Sequence, residues 1–313
     1  MRANTRTSDC ICTCTDKTSG IVAPYGVQNV QNLFKTLPGD MQVYSGCSIA
    51  DAAETLSWLR SRRFSLQPDI KEDPEKLCHV HTVKSARSDS KAAPYVIDAQ
   101  GSRGLGHHLL HLTLLMVLDL NDNGMSDAGV TALAPHLGSC RELKSLSLGG
   151  NEISVQGVSA LVQQFGSLAG LEALYLHDNK LGPSGVAALG PYLPHLRHLR
   201  ELSLRSNHLG SEGARTLAPY LGSLTSLQQL SLRGNNISAV GATALAPYLT
   251  MIVALQILNL RENDIGDMGA KALMPYLSRH ACLSNLWLQD NNIGFFTKKD
   301  LPKAFPLVKN LKL

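Results

Sequence analysis

The sequence has few aromatic residues, little net charge and no long apolar run. Only 5% of its 313 residues are Phe, Trp or Tyr, so aliphatic side chains must fill most of the core. The formal net charge of +4 is too small to indicate nucleic acid, which usually requires a concentrated basic face. Because no stretch of about 20 apolar residues occurs, the sequence predicts no transmembrane segment.

Cysteine is also sparse and irregularly spaced. The seven cysteines are an odd number, and the N-terminus has no apolar run that would indicate a secretory signal. Reduced thiols in the cytoplasm are the simplest interpretation. Cys10, Cys12 and Cys14 could bind a metal or carry a lipid, but they lie in a polar tail, and we expect no metal site there.

Motifs that carry catalysis are missing. The sequence contains no Gly-x-x-x-x-Gly-Lys-Ser/Thr phosphate loop, no His-Glu-x-x-His and no Gly-x-Ser-x-Gly, each of which would supply a phosphate cradle, a zinc site or a nucleophile. We therefore predict that the protein is not an enzyme, has no catalytic residues and uses no cofactor.

The sequence does contain a strict internal repeat. The pattern Leu-x-Leu-x-x-Asn occurs seven times, and its asparagines follow one another at intervals of 28 residues. They are Asn123, Asn151, Asn179, Asn207, Asn235, Asn263 and Asn291. The leucines of each copy point to one face of a short strand, and the segment after each asparagine has helical spacing. One unit is therefore strand, turn, helix and turn, and it buries its leucines only by stacking on its neighbours.

The asparagine that ends each strand is predicted to be structural. Its side-chain amide can bond backbone groups of its own turn and of the next unit, and the repeated spacing would join these bonds into a ladder. We call these seven residues the ladder asparagines.

This pattern resembles the ribonuclease-inhibitor-like class of leucine-rich repeats, which also includes the Ran GTPase-activating protein and the sensor arrays of NOD-like receptors. The resemblance covers about residues 89–313. It implies an α/β fold, a leucine-rich-repeat solenoid in the form of a horseshoe, with an inner parallel sheet and outer helices.

The predicted organisation has two parts. Residues 1–88 form a non-repeat segment that is partly helical, with helices near 26–36 and 48–64, and that ends in a polar linker. Residues 89–313 form the leucine-rich-repeat domain. It begins with a degenerate capping unit whose helix is opened by Asp98, continues through seven full repeats, and ends in a truncated strand.

The inner face of the sheet is the predicted binding surface. Side chains beside the motif leucines point away from the core, and three consecutive repeats place an arginine there. Arginine and exposed aromatic residues are typical binding anchors. The predicted partner-binding residues are Arg205, Arg233, Arg261, Tyr175, His177, Trp287, Asn259 and Glu262. The alternative is a solvated face with local ion pairs through Glu201, Asp178, Glu262 or Asp290.

These observations favour a non-catalytic protein–protein interaction module or scaffold, which binds a partner with an acidic surface on its concave face. The resemblance also leaves open a regulator, of the GTPase-activating type, of a small GTPase. An inhibitor of a basic enzyme, as ribonuclease inhibitor is, is less favoured, because that protein is acidic and rich in cysteine whereas this chain is mildly basic.

Overall fold

The computed structural model describes residues 49–68, 77, 79–85 and 97–313. The helix expected near 26–36 and the cluster of Cys10, Cys12 and Cys14 lie outside the described residues.

Short strands and helices alternate along the described chain. The strands are β1 Phe64–Gln67, β2 Thr82–Ser85, β3 Val117–Asp119, β4 Ser145–Ser147, β5 Ala173–Tyr175, β6 Glu201–Ser203, β7 Gln229–Ser231, β8 Ile257–Asn259, β9 Asn285–Trp287 and β10 Asn310–Lys312. The α-helices are α1 Ile49–Ser61, α2 Ala99–Leu109, α3 Ser126–Leu137, α4 Val155–Leu161, α5 Gly182–Leu189, α6 Gly210–Leu221, α7 Ser238–Leu249, α8 Gly266–Leu277 and α9 Phe295–Ala304. The 3-10 helices Val162–Gln164 and Gly190–His195 continue α4 and α5.

The strands form one open ten-stranded sheet in sequence order. β1 and β2 are antiparallel, and every pair from β2 to β10 is parallel. Motif leucines lie opposite one another in neighbouring strands, as Leu202 does to Leu230. The predicted α/β leucine-rich-repeat solenoid is confirmed. Since strands lie about 4.8 Å apart and packed helices about 8–10 Å apart, the sheet forms the inner, concave side.

The core lies between the sheet and the helices and consists mainly of leucine. Leu202, Leu204 and Leu217 are all buried, and each fully buried leucine stabilises the fold by about 1.5–3 kcal/mol. The helices pack closely at the recurring glycine: a Cβ on Gly269 would lie 3.0 Å from the Cα of Ala239. A larger residue there would push α8 away from α7.

At the N-terminal end, the sheet and core continue across residue 88. β2 lies within the segment that the sequence analysis assigned to a linker, and it pairs in parallel with β3. Leu56 and Leu59 of α1 join the same hydrophobic core as the repeats. The expected cap of α2 is present, since Asp98 Oδ1 accepts a hydrogen bond of 2.7 Å from the backbone N–H of Gly101.

At the other end, β10 pairs with β9 and places Leu311 opposite Leu286. The sequence spacing from Leu286 to Leu311 is shorter than the 28-residue spacing between neighbouring ladder asparagines, as the early position of Leu311 in the sequence indicates. The helix that precedes β10, α9, packs its Leu301 into the core.

Candidate functional site

The inner face of the sheet carries an open groove of about 490 Å³. Its walls are side chains that project from β5 to β9 and from the residues directly after these strands. Of the eight predicted partner-binding residues, six line the groove: Tyr175, His177, Arg205, Arg233, Asn259 and Trp287. The other two, Arg261 and Glu262, lie beside it, because Glu262 contacts both Arg233 and Arg261.

Arg205, Arg233 and Arg261 occupy the same position in three consecutive repeats, and we call them the arginine row. Each forms an ion pair with a carboxylate of a neighbouring repeat. Arg205 pairs with Asp178. Arg233 donates two hydrogen bonds to Glu262, of 3.1 and 2.7 Å. Arg261 Nε lies 2.8 Å from Asp290 Oδ2 and 3.2 Å from Glu262 Oε1. The arginine row is therefore a chain of alternating charges, and its positive charge is compensated within the protein.

The three carboxylates share one position in the repeat, directly before a ladder asparagine. Asp178, Glu262 and Asp290 have φ angles of 53°, 58° and 57°, which is the left-handed region that glycine adopts most easily. Gly150 and Gly234 occupy the same position in other repeats, also with positive φ. The turn thus holds these carboxylates beside the arginines at some cost in backbone strain.

The arginines keep two of these carboxylates, Glu262 and Asp178, ionised. The hydrogen bonds from Arg233 hold the pKa of Glu262 below its usual value and raise the pKa of Arg233. Burial raises the pKa of Asp178, but hydrogen bonds from Arg205 and His177 outweigh burial, and the pKa of Asp178 is lowered overall. At neutral pH the ion pairs of Glu262 and Asp178 therefore persist.

Tyr175 and Glu201 form one end of the groove. The Tyr175 hydroxyl donates to Glu201 Oε2, and Gln229 Nε2 donates to Glu201 Oε1 at 3.2 Å. Burial and the neighbouring carboxylate raise the pKa of Tyr175, so the phenol stays neutral. This end of the groove offers an aromatic surface whose polar atom is already bonded.

Trp287 forms the other end. The ammonium of Lys312 lies 5.1 Å from the centre of the Trp287 ring, which is cation–π geometry. Within the described residues, Trp287 Nε1 and Gln289 Oε1 lack a hydrogen-bond partner although both atoms are buried. Such atoms raise the free energy of the unbound protein.

The ladder asparagines are all buried. Asn235 shows their bonding: its Oδ1 accepts from the backbone N–H of Asn207 at 2.8 Å. Its Nδ2 donates to the carbonyls of Leu204 and Leu232 at 2.8 and 2.9 Å. The series is interrupted once among the described residues, since Asn207 Oδ1 accepts no hydrogen bond.

Some groove residues were missed in the sequence analysis. The predicted binding residues lie between or after the two motif leucines, but strand alternation also turns the residue before the first leucine outward. That row supplies Gln229 and Ile257 to the groove. Lys312 could not be placed from the period, because β10 arrives early.

Two features are absent from the part of the chain that the structure describes. There, no group of three or more His, Cys, Asp or Glu residues is arranged to hold a metal ion. None of the described helices combines the length and the apolar character needed to cross a bilayer.

Comparison with known protein families agrees with the fold. Five segments match the family described as "Leucine Rich repeat", at residues 111–134, 139–162, 195–218, 223–246 and 255–274. The chain therefore contains leucine-rich repeats, which generally mediate protein–protein interaction. No curated protein matches the sequence. Among solved structures, an internalin (inlF) from Listeria monocytogenes is similar at 16% identity and a TM-score of 0.39, over 66% of this chain and 69% of that chain.

Proposed function

We propose that this protein is a non-catalytic interaction module or scaffold of the ribonuclease-inhibitor-like class, and that it binds a protein partner in the groove of the sheet. The observation that carries the proposal is the groove itself. It joins two aromatic side chains, Tyr175 and Trp287, and two arginines, Arg205 and Arg233, in one open concavity. These are the residue types that dominate binding free energy at protein interfaces.

We further propose that the partner presents acidic side chains to Arg233 and Arg261. In the unbound protein, Glu262 forms ion pairs with both arginines. Its side chain is nevertheless 39% exposed, and its backbone is held at positive φ. A partner carboxylate can take its place with bidentate geometry, and the arginine charges stay compensated throughout. Because the free groove is charge-balanced, we expect short-range exchange of ion pairs to contribute more than long-range attraction.

The test is affinity capture with the full chain as bait, followed by binding measurements on the captured partner. Arg233→Glu should weaken binding at least tenfold, because it reverses the charge that the partner meets. Arg215→Glu is the matched control: Arg215 lies on α6, away from the sheet, where it pairs with Glu212 at 2.7 Å. That variant should bind as the parent does.

A second variant tests whether the partner is acidic without adding a negative charge to the groove. Glu262→Gly removes the competing carboxylate and places at this turn the residue found at Gly150 and Gly234. An acidic partner should then bind more tightly, and its binding should weaken as salt rises. A partner held equally by Arg233→Glu and the parent would refute the groove as its site. Capture of a small GTPase whose hydrolysis rate rises with this protein would favour the regulator instead.

We also propose a cytoplasmic location. Its support is that Cys140 and Cys282 are free thiols, one of them exposed, which is typical of a reducing compartment. Burial raises the pKa of the Cys140 thiol to about 12, so this thiol is unreactive. Cell fractionation with an antibody to the chain tests the proposal, and recovery in the medium would contradict it.

A further inference from the structure

The outer, helical side carries an exposed apolar row in its last three repeats. The position five residues after the ladder asparagine is Ala128, Gln156, Ser184 and Glu212 in the first four repeats, and Val240, Met268 and Phe296 in the last three. The latter side chains are 63%, 74% and 81% exposed. Phe295, 76% exposed, stacks edge-on against Phe296 with ring centres 5.6 Å apart. We call Val240, Met268, Phe295 and Phe296 the apolar stripe.

The members of the stripe lie on three successive helices. Val240 lies on α7, Met268 on α8 and Phe296 on α9, and each occupies the same position in its repeat. Adjacent packed helices lie about 8–10 Å apart, so three successive positions span about 20 Å. Solitary exposed apolar residues are ordinary, but a contiguous patch marks an interaction surface.

Lysines accompany the stripe. Lys271 and Lys299 follow Met268 and Phe296 by three residues and so lie on the same side of their helices. Among the described residues, Lys298 and Lys299 form no ion pair, while Lys303 lies 3.6 Å from Asp300.

Asp267, the acidic residue closest to the stripe in sequence, is hydrogen-bonded to the next repeat. Asp267 Oδ1 accepts a 2.7 Å hydrogen bond from the backbone N–H of Gly294. That bond and the Thr297 hydroxyl hold the pKa of Asp267 below its usual value. Asp267 therefore stays ionised and offsets part of the positive charge of Lys271, so the charges near the stripe that remain uncompensated among the described residues are those of Lys298 and Lys299.

The same lysines decide what can cover the stripe. Lys298 occupies the helix position at which Ala214 and Ala242 are buried against the glycine of the following helix. Another helix packed on α9 in this way would bury an ammonium group at high cost. A second copy that met the stripe face to face would bring lysine against lysine. A negatively charged occupant meets neither obstacle.

We propose that the apolar stripe docks this protein on an anionic lipid bilayer surface. Phe295, Phe296, Met268 and Val240 enter the boundary between headgroups and acyl chains, where aromatic and aliphatic side chains leave water. Lys271 and Lys299 face the negatively charged headgroups, and Lys298, three residues after Phe295, lies at the edge of the same surface. Because the stripe lies on the helical side, the groove of the sheet faces away from the bilayer and stays open to a partner.

The experiment is co-sedimentation of the full chain with vesicles. We expect binding to phosphatidylcholine vesicles that contain phosphatidylserine and little binding to phosphatidylcholine alone. The substitutions come from the chain itself: Met268→Gln and Phe296→Ser copy the residues at Gln156 and Ser184. Together they should weaken vesicle binding at least tenfold. Lys298→Glu with Lys299→Glu should weaken it by a similar factor, since each lysine near such a surface strengthens binding about fivefold.

A matched control keeps the result specific. Met251 and Val253 are 53% and 63% exposed, but they follow the end of α7 and lie away from the helix starts that carry the stripe. The double variant Met251→Gln with Val253→Ser should therefore bind vesicles as the parent does. All these positions are exposed, so each variant should keep the parent circular dichroism spectrum. Absence of vesicle binding, or binding unchanged by the stripe and lysine variants, would overturn the proposal. A dimer on size exclusion that Phe296→Ser dissolves, without vesicle binding, would assign the stripe to a second copy.

Discussion

Single residues show how much of this fold depends on side-chain amides. Each ladder asparagine combines an acceptor and a donor at the point where the chain leaves the strand, and it does so while buried. A buried backbone group without a partner costs about 1–3 kcal/mol. The asparagines therefore satisfy turns that could not otherwise be buried between stacked repeats.

We predict that Asn235→Ala lowers the melting temperature by several degrees. The substitution removes the acceptor for the backbone N–H of Asn207 and the donor to Leu204 and Leu232, and each kcal/mol lost is about 2–4 °C in a domain of this size. Thermal unfolding followed by circular dichroism measures it. Asn207→Ala serves as the comparison, because Asn207 Oδ1 accepts nothing. Its effect should be smaller, and an Asn235→Ala variant that melts with the parent would remove the structural role.

Glu262 gives a second prediction at this scale, on stability alone. Its φ of 58° costs about 1–2 kcal/mol for a residue with a Cβ, whereas exposed ion pairs contribute about 0–1 kcal/mol. Glu262→Gly should therefore leave the melting temperature unchanged or raise it slightly. Differential scanning calorimetry of both proteins provides the measurement. A clear fall would mean that the pairs with Arg233 and Arg261 outweigh the strain.

Among the elements, α1 contacts α2 and so adds to the pairing of β2 with β3 that attaches the N-terminal end to the repeats. Thr55 Oγ1 lies 2.9 Å from His108 Nδ1, and the rings of Trp58 and His108 are 4.8 Å apart. Burial, followed by the charges of His107 and His111, lowers the pKa of His108, although Glu54 acts in the opposite direction. Burial also lowers the pKa of His136 and of His81.

We predict that this contact weakens as the pH falls below about 6.5. His108 has a lower pKa in the folded protein than in the unfolded chain, so the unfolded chain takes up its proton first and stability decreases with falling pH. Trp58 and Trp287 are the only tryptophans. In a Trp287→Phe background, Trp58 fluorescence should therefore report the change. His108→Gln should flatten the pH profile, and an equally steep profile would exclude His108 as its origin.

For the whole molecule, stability depends on stacking, because each repeat contacts mainly its neighbours. The proposed division between residues 1–88 and 89–313 cuts such a stack between β2 and β3. It also removes Leu56, Leu59 and Val83 from the core.

We predict that a fragment of residues 89–313 folds but melts several degrees below the full chain, because its first strand and helix lose apolar cover. Circular dichroism and thermal melting of the two proteins test this directly. The polar, charged composition of the stretch between about residues 67 and 93 predicts that limited proteolysis of the full chain cuts there, outside β2. Failure of the fragment to fold would show that β1, β2 and α1 are an obligatory cap.

The repeating part of the fold could be predicted from the sequence because period and chemistry coincide there. The 28-residue spacing, the alternating leucines and the asparagine at each strand end allow one stacking arrangement, and the sheet from β3 to β9 follows it. The same alternation of side chains along each strand also predicts that most groove residues share one face of the sheet. The repeat pattern does not extend into residues 1–88, so the sequence predicts a linker where β2 pairs with β3.

Only the tertiary structure decided which charges meet. The sequence offered Glu201, Asp178, Glu262 and Asp290 as possible partners of Arg205, Arg233 and Arg261. The structure pairs these arginines with Asp178, Glu262 and Asp290, which the turn before each ladder asparagine brings within reach. The sequence alone determined the register of the repeats, because only one alignment of neighbouring repeats buries the motif leucines of every unit. The ion pairs depend on side-chain rotamers and on the left-handed turns at Asp178, Glu262 and Asp290. Those conformations depend on contacts between repeats, which a one-dimensional pattern does not contain.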